Sequence, residues 1–141
     1  MALSQQKFRE IVFQLLYGFD FAAPDEEDAI DFMMRHFAIT RKTVREAQQR
    51  CKQIQDKLAE IDPLIAGASS SYKFERIPRV ERNILRLGVF ELKHDAQIPP
   101  KVAIAEAIRL CRKFATPEGA TFVNAILDTL YKNNEVSVSD G

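Results

Sequence analysis

The sequence has little of what disulfide frameworks, metal sites and membrane spans require. Its 141 residues include two cysteines, Cys51 and Cys111, which lie far apart and are flanked by helix-forming residues. Such isolated cysteines are typical of small buried side chains in a reducing compartment. No stretch approaches the roughly 20 apolar residues that cross a bilayer. We therefore expect no membrane segment and a cytoplasmic location.

The motifs of common catalytic sites are also missing. The chain has no glycine-rich phosphate loop, no serine in a nucleophile-elbow context and no histidine and cysteine cluster at metal-ligand spacing. His36 and His94 end or follow predicted helices, and neither has a catalytic partner at a suitable spacing. The sequence therefore predicts no catalytic residue, no metal site and no cofactor.

Net charge says little, because 20 basic and 20 acidic residues balance. The distribution is more informative. Six acids and no base lie between Asp20 and Asp31, and with Pro24 they suit a helix start, where carboxylates meet the positive end of the helix dipole. Residues 41–113 contain 16 bases and 9 acids, so the middle and end of the chain are locally basic.

What the sequence does have is helical periodicity almost throughout, without a convincing strand. Apolar stripes and start signals predict an all-α fold of about seven helices. The first should cover about Ser4 to Phe21, Thr40 should cap the third, and Asp62 before Pro63 should open the fourth. Thr116 should cap the seventh. We expect one domain over residues 1–141, with 133–141 as a frayed polar tail.

The fifth predicted helix combines a buried arc with a basic stripe formed by Arg79, Arg82, Arg86 and Lys93. The stripe could meet phosphates, although a solvated face with intrahelical pairs is the commoner reason for such a pattern. Glu91 falls within the apolar arc, where a carboxylate needs a charged or hydrogen-bonding partner. Glu81 lies at the edge of the same arc, where it could be offered to a partner protein.

The sixth and seventh predicted helices also display polar groups beside their apolar stripes. Glu106, Arg109 and Lys113 share a polar face of the sixth helix, and Glu106 can pair either with Arg109 or with the basic stripe of the fifth helix. Phe122 lies at the edge of the apolar stripe of the seventh. An aromatic in this position is either core filler, the usual case, or a platform for an unstacked base.

A series of short motifs follows in fixed order along almost the whole chain. They are Arg9-Glu10 with Gln14 and Leu16-Tyr17, Arg79 to Arg86 with Glu91-Leu92, Pro100 to Ile104 with Glu106 to Ile108, and Phe122 to Asn124 with Leu127-Asp128. Each is weak alone. In this order and spacing the chain resembles the NusB family of bacterial transcription antitermination factors.

The resemblance implies a compact all-α fold of two packed helical halves without enzymatic activity. Family members bind the boxA element of nascent ribosomal RNA transcripts together with NusE, a small-subunit ribosomal protein. The complex joins RNA polymerase and other Nus factors and suppresses premature termination. For this chain, the resemblance therefore implies single-stranded boxA-like RNA and NusE as partners, with RNA polymerase and other Nus factors reached through the complex.

The resemblance also implies site residues. Arg9 matches the end of a basic N-terminal segment, Phe122 matches an aromatic of the RNA-binding surface, and Glu118 matches an acid near that surface. Tyr17 and Glu81 match positions on the side that meets NusE. The candidate RNA-binding residues are Lys7, Arg9, Lys113, Glu118 and Phe122.

Some positions depart from the family pattern. Members commonly begin with an arginine-rich arm, whereas residues 1–8 here contain only Lys7 as a base. Gly119 and Thr121 replace a serine and an often basic residue before Phe122. We therefore expect an RNA binder that is weaker alone and depends more heavily on NusE.

Two other classes of protein are compatible with parts of this pattern. A protein-binding module could use the same fold without touching RNA. The fold also occurs as the N-terminal domain of ribosomal RNA cytosine methyltransferases, but such an enzyme needs a sheet-forming domain with a cofactor motif, which is missing before Gly141. Some relatives self-associate, and no sequence feature decides between a monomer and a homodimer.

Overall fold

The computed structural model of the chain describes residues 3–21 and 25–133, except for the side chain of Glu26. These residues form seven α-helices and no strand, which confirms the all-α prediction. The predicted helix start at Pro24 and the predicted tail beyond Asn133 lie outside the described residues. The helices are α1 (Gln5–Phe19), α2 (Glu26–Phe37), α3 (Arg41–Gln55), α4 (Leu58–Ala68), α5 (Arg79–His94), α6 (Pro100–Phe114) and α7 (Pro117–Lys132), with a 3-10 turn (Phe74–Arg76) before α5.

The helices group into two compact units that divide between Gln55 and Asp56. The first unit contains α1 to α3, and the second contains α4 to α7. The expectation of a single domain over residues 1–141 stays a prediction. Among the described helices, none has both the length and the apolar character that crossing a membrane requires.

Side-chain caps explain where four of the helices begin. The hydroxyl of Ser4 accepts a hydrogen bond from the backbone N–H of Lys7, and the Asp25 carboxylate accepts two from the first turn of α2. Thr40 and Thr116 cap α3 and α7 in the same way, at N···O distances of 3.2 and 3.0 Å. The first N–H groups of a helix have no intrahelical partner, so these caps set the helix starts. Those of α1, α3 and α7 lie where the sequence predicted them.

The core of the first unit forms where α3 packs against both α1 and α2. α2 ends at Ala38, which takes a left-handed backbone conformation with φ of 53°. This conformation is uncommon for a residue with a Cβ and is typical of a helix C-terminus. The fully or almost fully buried side chains of this unit include Ile11, Val12, Leu16, Ile30, Val44, Ala47, Cys51 and Ile54.

The predicted start of α4 at Asp62 and Pro63 is wrong. α4 extends about a turn further toward the N-terminus, and Pro63 lies inside it. The Asp62 carboxylate does not cap a helix because it is engaged by Arg86, whose Nε and Nη2 each donate a hydrogen bond over 2.9 Å. A proline inside a helix removes one backbone hydrogen bond. Ile61 and Ile65 of this helix are fully buried, and the helix packs against α5 and α7.

In the second unit, α5 contacts α4, α6 and α7 and is buried continuously from Asn83 to Leu92. α6 and α7 approach α5 closely near its middle, at Gly88. A Cβ at Gly88 would lie 3.1 Å from Leu127 of α7 and 3.6 Å from Ala107 of α6. The three helices therefore meet at Gly88 with no room for a larger side chain unless Leu127 moves.

Three side chains of the basic stripe of α5 have partners within the second unit. Arg86 pairs with Asp62, and Lys93 pairs with Glu60 of α4 over 2.9 Å. Arg82 donates from Nη2 to the carbonyls of Glu75 and Ile77 and lies over the Phe74 ring. Arg86 also donates from Nη1 to the Asn83 side-chain oxygen within α5 over 3.3 Å. The expectation of a solvated stripe with intrahelical pairs is therefore only partly met, because the carboxylate partners of Arg86 and Lys93 lie on α4 and the carbonyl partners of Arg82 lie just before α5.

Each unit contains one of the two cysteines, and both are buried and unbridged. Burial raises the pKa of Cys51 to about 12. Burial, with a smaller contribution from the nearby Glu81 carboxylate, raises the pKa of Cys111 to about 12 as well. Both thiols therefore stay protonated near neutral pH and act as core side chains.

We predict that Asp62→Ala lowers the free energy of unfolding by about 2–3 kcal/mol, because Arg86 loses the carboxylate that neutralises it in a largely buried site. The Arg86 side chain is 11% exposed. The matched control is Asp128→Ala, which removes the exposed helical pair with Lys132 and should cost less than about 0.5 kcal/mol. Urea denaturation of both variants measures the difference. Equal losses would contradict a structural role for the Asp62–Arg86 pair.

Candidate nucleic-acid interface

The N-terminal turn of α7 positions two of the predicted RNA-binding residues. The Thr116 cap and Pro117, the first residue of the helix, set its start, because proline has no N–H to leave unpaired there. Glu118 follows and is exposed. Phe122 lies one turn later and is half-buried, at the edge of the stripe that faces the core.

Phe122 has an aromatic neighbour that sequence reasoning missed. Tyr72, in the segment between α4 and the 3-10 turn, packs edge-on against Phe122 with the ring centroids 5.3 Å apart. Ser69 holds this segment, because its hydroxyl donates to the Tyr72 carbonyl over 2.6 Å and accepts from the Tyr72 N–H. Tyr72 is 51% exposed. The two rings thus form an accessible aromatic pair on a fixed backbone.

Glu81 lies against α7 at Gly119, the residue that follows Glu118. A Cβ at Gly119 would lie 3.2 Å from the Cγ, Cδ and Oε2 atoms of Glu81. The Glu81 side chain is half-buried, and it occupies the space that a side chain at position 119 would need. The absence of a side chain at Gly119 therefore lets α5 approach the first turn of α7.

The predicted basic residues differ in how accessible they are. Lys113, at the C-terminal end of α6, is exposed, and its Nζ lies 5.8 Å from the centroid of the Phe114 ring. Lys7 is half-buried with its Nζ 4.9 Å from the Phe37 ring. Arg9 is only 6% exposed, which leaves little surface for a phosphate. The three assignments stay predictions.

Tyr17 lies near the end of α1 in a small aromatic group of the first unit. Its ring is half-buried, 6.0 Å from Phe13 and 4.9 Å from Phe21 between centroids. Phe21 is 58% exposed, so the group presents apolar surface to solvent.

The second unit therefore brings together Glu118, Phe122 and Glu81 around the start of α7, with Tyr72 as an addition.

Within the described ranges, no three His, Cys, Asp or Glu side chains are close enough together to hold a metal ion. Glu91, predicted to need a partner, is 4% exposed and does make a polar contact. Arg109 donates to Glu106 over 3.1 Å, as predicted.

The helices of the described residues place the chain in the all-α class of proteins. Residues 6–132 match the NusB family. The chain is 36% identical over 133 residues to the transcription antitermination protein NusB of Chlamydia pneumoniae, covering 94% of this chain and 83% of that protein. The chain therefore belongs to the NusB family, a family of non-enzymatic transcription antitermination factors.

Solved structures agree with this assignment. The fold matches T. maritima NusB with a TM-score of 0.80 and 30% identity, covering 94% of this chain and 93% of that one. It also matches a chain in the complex of the antitermination factors NusB and NusE with double-stranded RNA. There the TM-score is 0.77 and the identity 26%, covering 92% of this chain and 96% of that one.

We predict that Gly119→Ala and Glu81→Ala are energetically coupled. In the wild-type background the new methyl group meets Glu81, whereas in the Glu81→Ala background these three closest side-chain atoms are gone and the helical advantage of alanine is kept. The substitution should therefore be more favourable in the second background by about 0.5–1.5 kcal/mol. Urea denaturation of the four proteins measures this difference.

Gly67→Ala in α4 is the matched control, because a Cβ at Gly67 meets nothing within 4 Å. Its effect on the free energy of unfolding should be the same with or without the Glu81 side chain. If the effect of Gly119→Ala on the free energy of unfolding were also the same in both backgrounds, Glu81 would not be coupled to position 119 and the predicted packing contact would be contradicted.

Proposed function

We propose that this chain binds single-stranded boxA-like RNA together with NusE, and through that complex helps RNA polymerase and other Nus factors to read through terminators in the cytoplasm. Membership of the NusB family supports this proposal, as do relatives named transcription antitermination proteins. So does the similarity to a NusB chain solved with NusE and RNA.

The observation that carries the RNA-binding part is the Tyr72–Phe122 pair. Aromatic rings stack on unpaired bases and contribute about 1–3 kcal/mol per base without needing a particular sequence. The edge-on arrangement leaves the two rings in different planes, so each can offer a different surface to a base. Because Ser69 and the start of α7 hold the two backbones, little order has to be created on binding.

Charge around the aromatic pair supports a modest affinity for RNA alone. Lys113 is exposed and can meet a phosphate, whereas the exposed Glu118 repels one and suits a hydrogen bond to a base or sugar donor. The N-terminal arm contributes at most Lys7 and the largely buried Arg9. A second ligand on the same protein would then raise the apparent RNA affinity through the effective concentration of a linked site.

For NusE we propose the surfaces at Tyr17 and Glu81. Tyr17 adjoins exposed apolar surface at Phe21, which suits a protein partner. Glu81 offers a carboxylate, and its contact with Gly119 connects it to the turn that displays Glu118.

The test is fluorescence anisotropy of a labelled boxA-like RNA, titrated with the protein alone and with equimolar NusE. We expect binding that weakens with salt and tightens with NusE. Tyr72→Ala should weaken RNA binding about 5- to 100-fold, because a stacking surface is lost. Phe32→Ala is the matched control, since Phe32 is 55% exposed but lies in the first unit, stacked on His36, and should change little.

Two further variants separate the RNA and protein surfaces. Phe122→Asp should weaken RNA binding with little effect on NusE affinity, whereas Glu81→Lys should do the reverse. Circular dichroism checks that both variants keep their helices. If neither the chain nor its mixture with NusE bound RNA, the proposed function would be wrong and a protein-binding role without RNA would replace it.

A further inference from the structure

A groove between α6 and α7 lies beside the predicted RNA-binding residues and has no role in the function proposed above. Its cavity volume is about 470 Å³, within the range of small-ligand sites. Ile108, Pro117 and Ala120 form its apolar part. The polar part is formed by Arg112, Thr121 and Asn124.

The polar side chains of this α6–α7 groove are available for a ligand. Arg112 and Asn124 are exposed, and neither makes a side-chain hydrogen bond or ion pair with another described residue. The Thr121 hydroxyl donates to the Pro117 carbonyl over 3.2 Å, which leaves its oxygen free to accept. The groove thus offers a guanidinium, an amide and a hydroxyl acceptor beside an apolar surface.

These groups match the parts of a nucleotide. A guanidinium pairs with a phosphate through two parallel hydrogen bonds, and an asparagine amide can donate to and accept from the edge of one base. The apolar surface suits the flat face of a base or the carbon atoms of a ribose. A purely apolar peptide side chain would leave the guanidinium and the amide without partners.

The groove is separated from the surface proposed for RNA by the exposed face of α7. Arg112 precedes Lys113, and Thr121 precedes Phe122. In a helix of 3.6 residues per turn, Phe122 and Asn124 lie on opposite edges of the buried stripe of α7. Between them the exposed face carries Thr121 and Ala125, whose small side chains allow a nucleic-acid backbone to cross the helix closely.

We infer that the α6–α7 groove binds a further nucleotide of the single-stranded RNA whose bases stack at Tyr72 and Phe122. Arg112 pairs with its phosphate, the apolar residues support its ribose or base, and Asn124 and Thr121 contact the base edge. This inference rests on the proposed function. It also identifies a phosphate contact from α6 that compensates in part for the poorly basic N-terminal arm.

The experiment compares Arg112→Gln with Lys101→Gln in RNA titrations at several salt concentrations, with NusE present. Both residues are exposed on α6, neither has a side-chain partner among the described residues, and each substitution removes one positive charge. For Arg112→Gln, the slope of log affinity against log salt should become less steep by about 0.7, the value for one phosphate contact to single-stranded RNA. Lys101→Gln should leave the slope unchanged.

Asn124→Leu tests the base contact separately. It should weaken binding about 3- to 10-fold and reduce discrimination among RNAs that differ at one base, while the salt slope stays at the wild-type value. All three positions are exposed, and thermal unfolding should confirm that the variants remain folded.

The results distinguish failure of this inference from failure of the proposed function. If Tyr72→Ala weakened RNA binding but Arg112→Gln behaved like Lys101→Gln, the groove would not hold RNA and the proposed function would stand. If Arg112→Gln weakened NusE binding and left the RNA salt slope intact, the groove would be a protein contact and the inference would be wrong. If the wild-type protein bound no RNA even with NusE, both would be wrong.

Discussion

The burial of α5 is the constraint on which the second unit depends. Ten consecutive residues, Asn83 to Leu92, are buried, although a single helix normally buries one face only. Charged side chains on such a helix need partners within the protein, because an unpaired buried charge is costly. Asp62 supplies one for Arg86, and the backbone carbonyls before α5 supply two for Arg82. These contacts hold α4 and the 3-10 turn against the helix.

The proposed RNA surface is a consequence of this arrangement. The segment that leads from α4 to α5 carries Tyr72, so the contacts that hold the segment also place the ring beside Phe122. Glu81, in the first turn of α5, packs on Gly119 in the first turn of α7. The aromatic and acidic groups therefore stand on elements that are already ordered, which lowers the entropic cost of binding a flexible strand.

The sequence predicts the helices well because their signals are local. Apolar periodicity and the caps at Thr40 and Thr116 depend only on residues within a turn or two. The predicted start of α4 was wrong because the Asp62 carboxylate pairs with Arg86, 24 residues away. Helix-start signals use only neighbouring residues and cannot predict such a pair. Tyr72 was missed as a site residue for the same reason. Its neighbour Phe122 belongs to a different helix, and nothing near Tyr72 in the sequence indicates stacking.

The two buried cysteines allow the opening of each unit to be measured by thiol modification. Cys51 lies in the first unit and Cys111 in the second, and each thiol is buried with a pKa raised to about 12. A thiol reagent in solution can modify either one only after the surrounding helices open. Differing modification rates would show that the two units open separately, and each rate would then report the opening free energy of one unit without any engineered label.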